Sequence, residues 1–208
     1  MEDILDLYAE PYDEKYPVIC MDEQLYQLLG EITEPILMKP GSCAKTDYKY
    51  ERNGTCSIFM FCEPLGGWRH TYARPRRTKV DWANQVRELL TVHYPDAIKV
   101  RLVSDNLNTH NASSLYEAFD PVTARTLAKR LEFHYTPKKG SWLNVAETEL
   151  SALTRQSLKK RINNIDRLND ILAIWHSDRN LAQKGVDWQF ATDDARVKLK
   201  HLYPVIIT

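Results

Sequence analysis

The sequence predicts an α/β fold, a mixed sheet flanked by helices. Short apolar runs of strand type at 18–21, 56–62 and 97–103, and helical spacing of apolar residues at 80–92, 142–161 and 165–180, carry that prediction. Their order, strands first and then strands alternating with helices, suits a sheet of mixed direction. At 208 residues the chain is long enough for one sizeable core. Its 43% hydrophobic and 27% charged residues exclude a disordered polymer.

Residues 1–14 carry six acids and no base, and residues 1–16 are expected to form a flexible acidic lead-in, with 17–208 as the folded domain. Pro17 then precedes Val18-Ile19-Cys20-Met21, a strand covered on both faces that ends on Asp22-Glu23. Residues 46–52 alternate, Asn53-Gly54 is a turn signal, and Cys56 to Cys62 is apolar, so the three together predict a hairpin. A third strand around Arg69–Ala73 follows the Gly66-Gly67 turn. The helix over 80–92 has Asp81 near its start. The strand over 97–103 ends at Ser104-Asp105-Asn106, so a second aspartate closes a strand. Residues 113–130 are helical with a break at Asp120-Pro121, and Leu131–Tyr135 alternates as a strand. The Lys39-Pro40-Gly41-Ser42 stretch is expected to be a flexible loop.

No stretch approaches the roughly 20 consecutive apolar residues that span a bilayer, and the N-terminus lacks a signal peptide's basic start and apolar core. A cytoplasmic protein with no membrane partner is expected, nucleoid-associated in use. The cysteines at 20, 43, 56 and 62 form no CxxC pair, which predicts free thiols and no zinc. Bases and acids balance at 28 each, so net charge does not call for a polyanionic partner. A local one is suggested by 64–79, which carries Arg69, Arg74, Arg76, Arg77 and Lys79 and no acid. A solvated loop with scattered arginines has the same composition.

Asp22 and Asp105 each follow an apolar strand. If those strands are neighbours, the two carboxylates meet, repel, and raise each other's pKa unless a cation intervenes. Magnesium, which prefers hard oxygen ligands, is the natural partner, and two such ions can assist in-line displacement at phosphorus. An aspartate after a strand also serves as a turn residue or helix cap, so a third acid is required. Glu147 and Glu149, near the start of the helix over 142–161, are the contenders. At 100° per residue they flank the apolar stripe on opposite sides, and spacing does not choose between them.

Met21-Asp22-Glu23, Ser104-Asp105-Asn106 with His110, and His134-Tyr135-Thr136-Pro137 leading to Ser141-Trp142-Leu143-Asn144 and Glu147 resemble the DDE transposases of the mariner superfamily, in its bacterial insertion-sequence branch. The resemblance continues through Trp175, Arg179-Asn180, Trp188 and Asp194-Ala195-Arg196 to Leu202-Tyr203-Pro204. It implies a ribonuclease-H-like fold and a triad of Asp22, Asp105 and Glu147 holding two divalent ions, Mg2+ or Mn2+. The implied reaction is DNA cleavage followed by strand transfer. The 41 residues between Asp105 and Glu147 exceed the superfamily's usual spacing, which implies an insertion around Asp120–Arg130. If that insertion disturbed the cleft, Glu132 or Glu149 would need to be reconsidered as the third acid.

Asn106, His110 and Asn144 are expected around the acids, in positioning, hydrogen-bonding or capping roles. Arg74, Arg76, Arg77, Lys138 and Lys139 are candidate phosphate contacts, and Trp142 either stacks on a base or packs on the core. Arg155, Lys159, Lys160 and Arg161 form a second DNA-facing surface or a solvated helix end. The implied partner is double-stranded DNA, as element ends and target, met by a homodimer. Helix-turn-helix modules precede the catalytic domain in this family and are absent from this chain, so an upstream-encoded module is an implied partner. The alternative is a truncated relic that binds DNA or full-length transposase as a regulator.

Overall fold

Alternation along the strands decides the architecture. In this computed structural model, which describes residues 1–33, 36, 38–43, 47–138 and 140–203, five strands form one sheet. They are β1 (Val18–Glu31), β2 (Tyr50–Glu63), β3 (Trp68–Arg74), β4 (Val100–Ser104) and β5 (Leu131–Tyr135), in the order β3-β2-β1-β4-β5. The first three pair antiparallel, and β4 and β5 add on parallel to β1. Successive side chains leave a strand on opposite faces. Thus Val18 and Cys20 enter one core, while Ile19 and Met21 enter the other.

The helices are α1 (Glu2–Ala9), α2 (Lys79–Glu88), α3 (Ala112–Ala118), α4 (Pro121–Lys129), α5 (Val145–Ser157), α6 (Ile165–Ala182) and α7 (Thr192–Lys198). Helices α1, α5, α6 and α7 bury apolar residues in the core of Val18 and Cys20, and α2, α3 and α4 in that of Ile19 and Met21. The expected mixed sheet flanked by helices is therefore present as three layers. Local chemistry sets the helix starts: Thr78 and Asp81 make a capping box for α2, Asp120 caps α4 ahead of Pro121, and Asn144 and Asn164 cap α5 and α6.

Three local expectations are corrected. The strand at Val18 does not end on Asp22-Glu23; β1 runs on to Glu31, paired with β2 as far as Glu31 opposite Tyr50. Its apolar run stops early because the part beyond Met21 is only partly covered. Asn53-Gly54 makes no hairpin turn. It lies inside β2, where the register slips between Gln27 and Leu29 and Gly54 takes φ 95°. A bulge and a turn both need a residue tolerant of positive φ, so one dipeptide signals either. The lead-in is not a flexible tail, since residues 2–9 form α1 and bury Ile4, Leu5, Leu7 and Tyr8. The Lys39–Ser42 stretch closes as a tight turn through paired backbone bonds, with Gly41 at φ 81°.

β3 lies at the edge of the sheet, and α6 runs along it. Asn180 bonds both backbone groups of Arg69, His176 Nδ1 accepts from the Thr71 amide, and Asn169 bonds both backbone groups of Ala73. Alternate residues of the strand are thereby matched to one helix face, and the edge is covered. The segment between Asp105 and Glu147 contains α3 and α4, and Leu115, Ala124 and Leu127 bury them in the core of Ile19 and Met21.

Candidate active site

Register brings the two aspartates level. Cys20 pairs with Val103 across the parallel β1–β4 boundary, so Asp22, two residues on, stands beside Asp105, two residues past Val103. Asp22 leaves β1 on the face of Cys20, where α5 packs. Asn144 fixes the start of that helix: its side-chain oxygen caps the Ala146 amide at 3.2 Å, and its Nδ2 donates to the Met21 carbonyl at 2.8 Å. Buried Asn144 therefore ties the first turn of α5, with Glu147 in it, to the residue before Asp22. Further along, Gln24 donates to Thr154 at 3.2 Å.

Glu147 lines two adjoining clefts, one with Asp22, Thr154 and Arg155, the other with Asp105, Asn106, Lys138 and Ser141. Burial raises the Asp22 carboxyl to about 6, opposed by a hydrogen bond from the Glu23 amide and reinforced by the negative charges of Glu147, Asp105 and Glu23. The acids thus repel one another across an open cleft, and their hard oxygen donors suit a divalent cation such as magnesium. They do not close into a tight cage: among the described residues the one trio with donor atoms all within 4.8 Å lies elsewhere.

Glu149, the other contender, faces the interior. Its side chain is 6% exposed and is held by Arg69 at 3.1 Å and Arg179 at 2.9 Å. Glu132, on β5, pairs with His134 of the same strand and with Lys99 just before β4, and lines neither cleft. Beneath Asp105 sits His110, fully buried, with Nδ1 2.6 Å from the Asp105 carboxylate and Nε2 3.1 Å from that of Glu23. Burial disfavours its charged form, but the bonds to Asp105 and Glu23 win and raise it to about 9. An imidazolium therefore bridges the two carboxylates at neutral pH. Tyr135 donates to the His110 carbonyl at 2.8 Å.

The DDE superfamily endonuclease family matches residues 17–169. The chain belongs to that family. No curated protein matches it. Solved structures similar to this DDE endonuclease include the Mos1 transposase paired-end complex with left transposon end, at 17% identity and TM-score 0.55, covering 85% of this chain and 52% of that one. The mariner Mos1 paired end complex with Mg is 16% identical at TM-score 0.56, with 88% and 54% covered. The catalytic domain of Mos1 mariner transposase is 12% identical at TM-score 0.52, with 85% and 76% covered. The fold is ribonuclease-H-like, and the chain spans about half the length of the Mos1 chains in those complexes.

The remaining candidate residues of this DDE endonuclease separate clearly. Asn106 is exposed and Lys138 lies beside it on the cleft, whereas Lys139 falls outside the described residues. Trp142 is 41% exposed and stacks against Trp188 with ring centres 6.5 Å apart, edge-on to Phe190. Arg76 and Arg77 are exposed. Arg74 lies over the Tyr72 ring at 5.0 Å, two strands from β1 and further along the sheet than Asp22. Arg69 is no surface cation; it is buried on Glu149. Lys79 pairs with Glu117 at 2.5 Å. Of the second basic group, Arg155 lines the cleft, while Arg161 is tied to Glu31 and to the Asp47 and Lys49 carbonyls.

Two contributors escaped sequence reasoning. Glu23 sits in the matched motif, but its buried partner is 87 residues away. Tyr8, in the supposed lead-in, donates to the Leu143 carbonyl at 2.7 Å and touches Cys20 Sγ at 2.9 Å, so α1 grips both the approach to α5 and the strand before Asp22. The helical spacing of Ile4, Leu5, Leu7 and Tyr8 was a usable signal for it.

Proposed function

We propose that this chain is the catalytic half of a DDE transposase, cutting double-stranded DNA at an element's ends and joining the freed ends to target DNA. The observation that carries the reading is the convergence on Asp22, where burial and the charges of Glu147 and Asp105 act together on one carboxyl. Asp22, Asp105 and Glu147 would hold two divalent ions, Mg2+ or Mn2+, which when bound supply charge neutralisation at the reacting phosphodiester. His110 holds the Asp105 carboxylate in place, and Asn144 holds the turn that carries Glu147.

Lys138 and Arg155, one on each cleft, are the cations best placed to take the flanking phosphates. Exposed Arg76 and Arg77 extend that contact. Trp142 serves the surface through its stack on Trp188 rather than as a base platform. End recognition falls to a helix-turn-helix module, and paired ends call for two copies of the chain. Among the described residues no helix is long and apolar enough to cross a membrane.

The test is Mg2+- or Mn2+-dependent nicking of DNA bearing candidate ends, with an end-reading module supplied. The unsubstituted chain is expected to cut, and Asp105→Asn and Glu147→Gln each to lose at least about a hundredfold in rate, a barrier increase of about 2.7 kcal/mol. Metal-dependent cutting that survives both substitutions would sink the triad. No cutting by any form would instead favour a chain that regulates by binding DNA or transposase.

A further inference from the structure

On the opposite face of the sheet, two strands from Asp22, three side chains converge that the acid cleft does not use. They are His70 on β3, Glu88 at the end of α2, and His93 at the end of the π-helical turn Leu89–His93. Among the described residues this is the trio whose donor atoms all lie within 4.8 Å of one another. We propose that His70, Glu88 and His93 bind one divalent transition-metal ion of the zinc class, pinning edge strand β3 to α2.

Unmet bonding points to a ligand. Nε2 of His70 and Nε2 of His93 are both buried and, among the described residues, without a hydrogen-bond partner. Glu88 Oε1 stands 3.8 Å from His70 Nε2, too long for a hydrogen bond. Buried ring nitrogens are ordinarily satisfied, so two orphans facing one carboxylate call for something between them. A metal takes the lone pair of an imidazole nitrogen, and each ring has an unengaged Nε2 at the cluster.

The backbone is wound to suit. In a regular α-helix, residues five apart diverge by about 140° around the axis, which would carry His93 away from Glu88. Instead the Tyr94 amide bonds the Leu89 carbonyl at 2.9 Å, and the wider π turn swings His93 back. Such turns recur at functional sites. Trp68 packs on both imidazoles, at 6.1 Å from His70 and 4.9 Å from His93, and His176 closes the far wall with its ring 5.2 Å from His70. The cleft beside them, about 540 Å³, admits an ion and the water that would complete its coordination.

Zinc holds nitrogen and oxygen ligands at about 2.0–2.2 Å, so donors around it stand about 3.4 Å apart and no pair of the trio need draw in by more than about 1.4 Å. Glu88, with its side chain 39% exposed, has room to move toward the rings. Two imidazoles and one carboxylate select zinc, cobalt or nickel over magnesium, which separates this site chemically from the all-oxygen acid cleft.

Cobalt(II) is the probe, added to the full chain carrying Asp22→Asn and Asp105→Asn so that the acid cleft is silent. One equivalent is expected to bind with the visible spectrum of low-coordinate cobalt, displaced by Zn2+ and not by Mg2+. His93→Gln should weaken binding more than about tenfold and abolish the rise in Tm that Zn2+ produces. No binding, or equal binding by His93→Gln, overturns the proposal. Should a substituted chain fail to fold, NMR of the unsubstituted one decides: Zn2+ must shift the imidazole signals of His70 and His93 and spare exposed His201, and unmoved His70 and His93 signals refute the site.

Discussion

Glu23 and His110 form a pair buried to 2% and 0% side-chain exposure, directly beneath the Asp105 carboxylate. Removing one partner of such a pair strands a charge in the interior, which costs about 3–5 kcal/mol. His110→Ala is therefore expected to lower unfolding free energy by about that amount in urea titrations, while Glu23→Gln, which keeps a hydrogen-bonding side chain, costs less. A second residue sets a pH dependence. Burial raises Glu63 to about 7, opposed by the Tyr94 hydroxyl at 3.1 Å. Its folded pKa lies above its ordinary value of 4.5, so the folded state holds the proton more tightly. The associated stability is complete below about 4.5 and is lost as pH rises to about 7, at up to about 1.4 kcal/mol per pH unit. Glu63→Gln should flatten that part of the profile and be the more stable form at about pH 8, measured by denaturant unfolding at several pH values.

At the scale of elements, α1 makes a sharp test, because a flexible lead-in and a packed helix predict opposite results. Leu5 is fully buried in the core shared by β1 and α5. Leu5→Ala is expected to cost about 2–5 kcal/mol, seen as a lower urea midpoint at unchanged slope, where a free tail would give no change. The contrast shows which parts of the molecule were legible from sequence. Strands β1 and β4 could be read because burial on both faces makes them largely apolar, but the meeting of Asp22 and Asp105 was conditional on the two strands being neighbours, which only the sheet order supplies. Asn53-Gly54 misled because its message is local, a tolerance of positive φ, while bulge or turn is decided by the partner strand. The choice between Glu147 and Glu149 could not be read from helical spacing at all. It depends on Arg69 and Arg179, both remote in sequence, which draw Glu149 inward. His70, Glu88 and His93 were invisible for a similar reason, since a cysteine count excludes only the thiolate kind of metal site.

For the whole molecule, one sheet divides two cores, with Asp22 on one face of β1 and the cluster of His70, Glu88 and His93 on the other face two strands away. The same division exposes an edge at β3, which α6 seals through Asn169, His176 and Asn180. Asn180→Ala leaves both backbone groups of Arg69 without those partners. It should cost about 1–3 kcal/mol and increase light scattering on mild heating, as the strand becomes available to other chains. The sealing helix has another attachment: Arg179, next to Asn180, grips Glu149 on α5, two residues from Glu147. The cover of the β3 edge and the seating of α5, which carries the proposed acid Glu147, thus share one helix. On the proposed triad, a chain whose β3 edge has opened is expected also to cut less, so copies able to pair through that edge would be the less reactive ones.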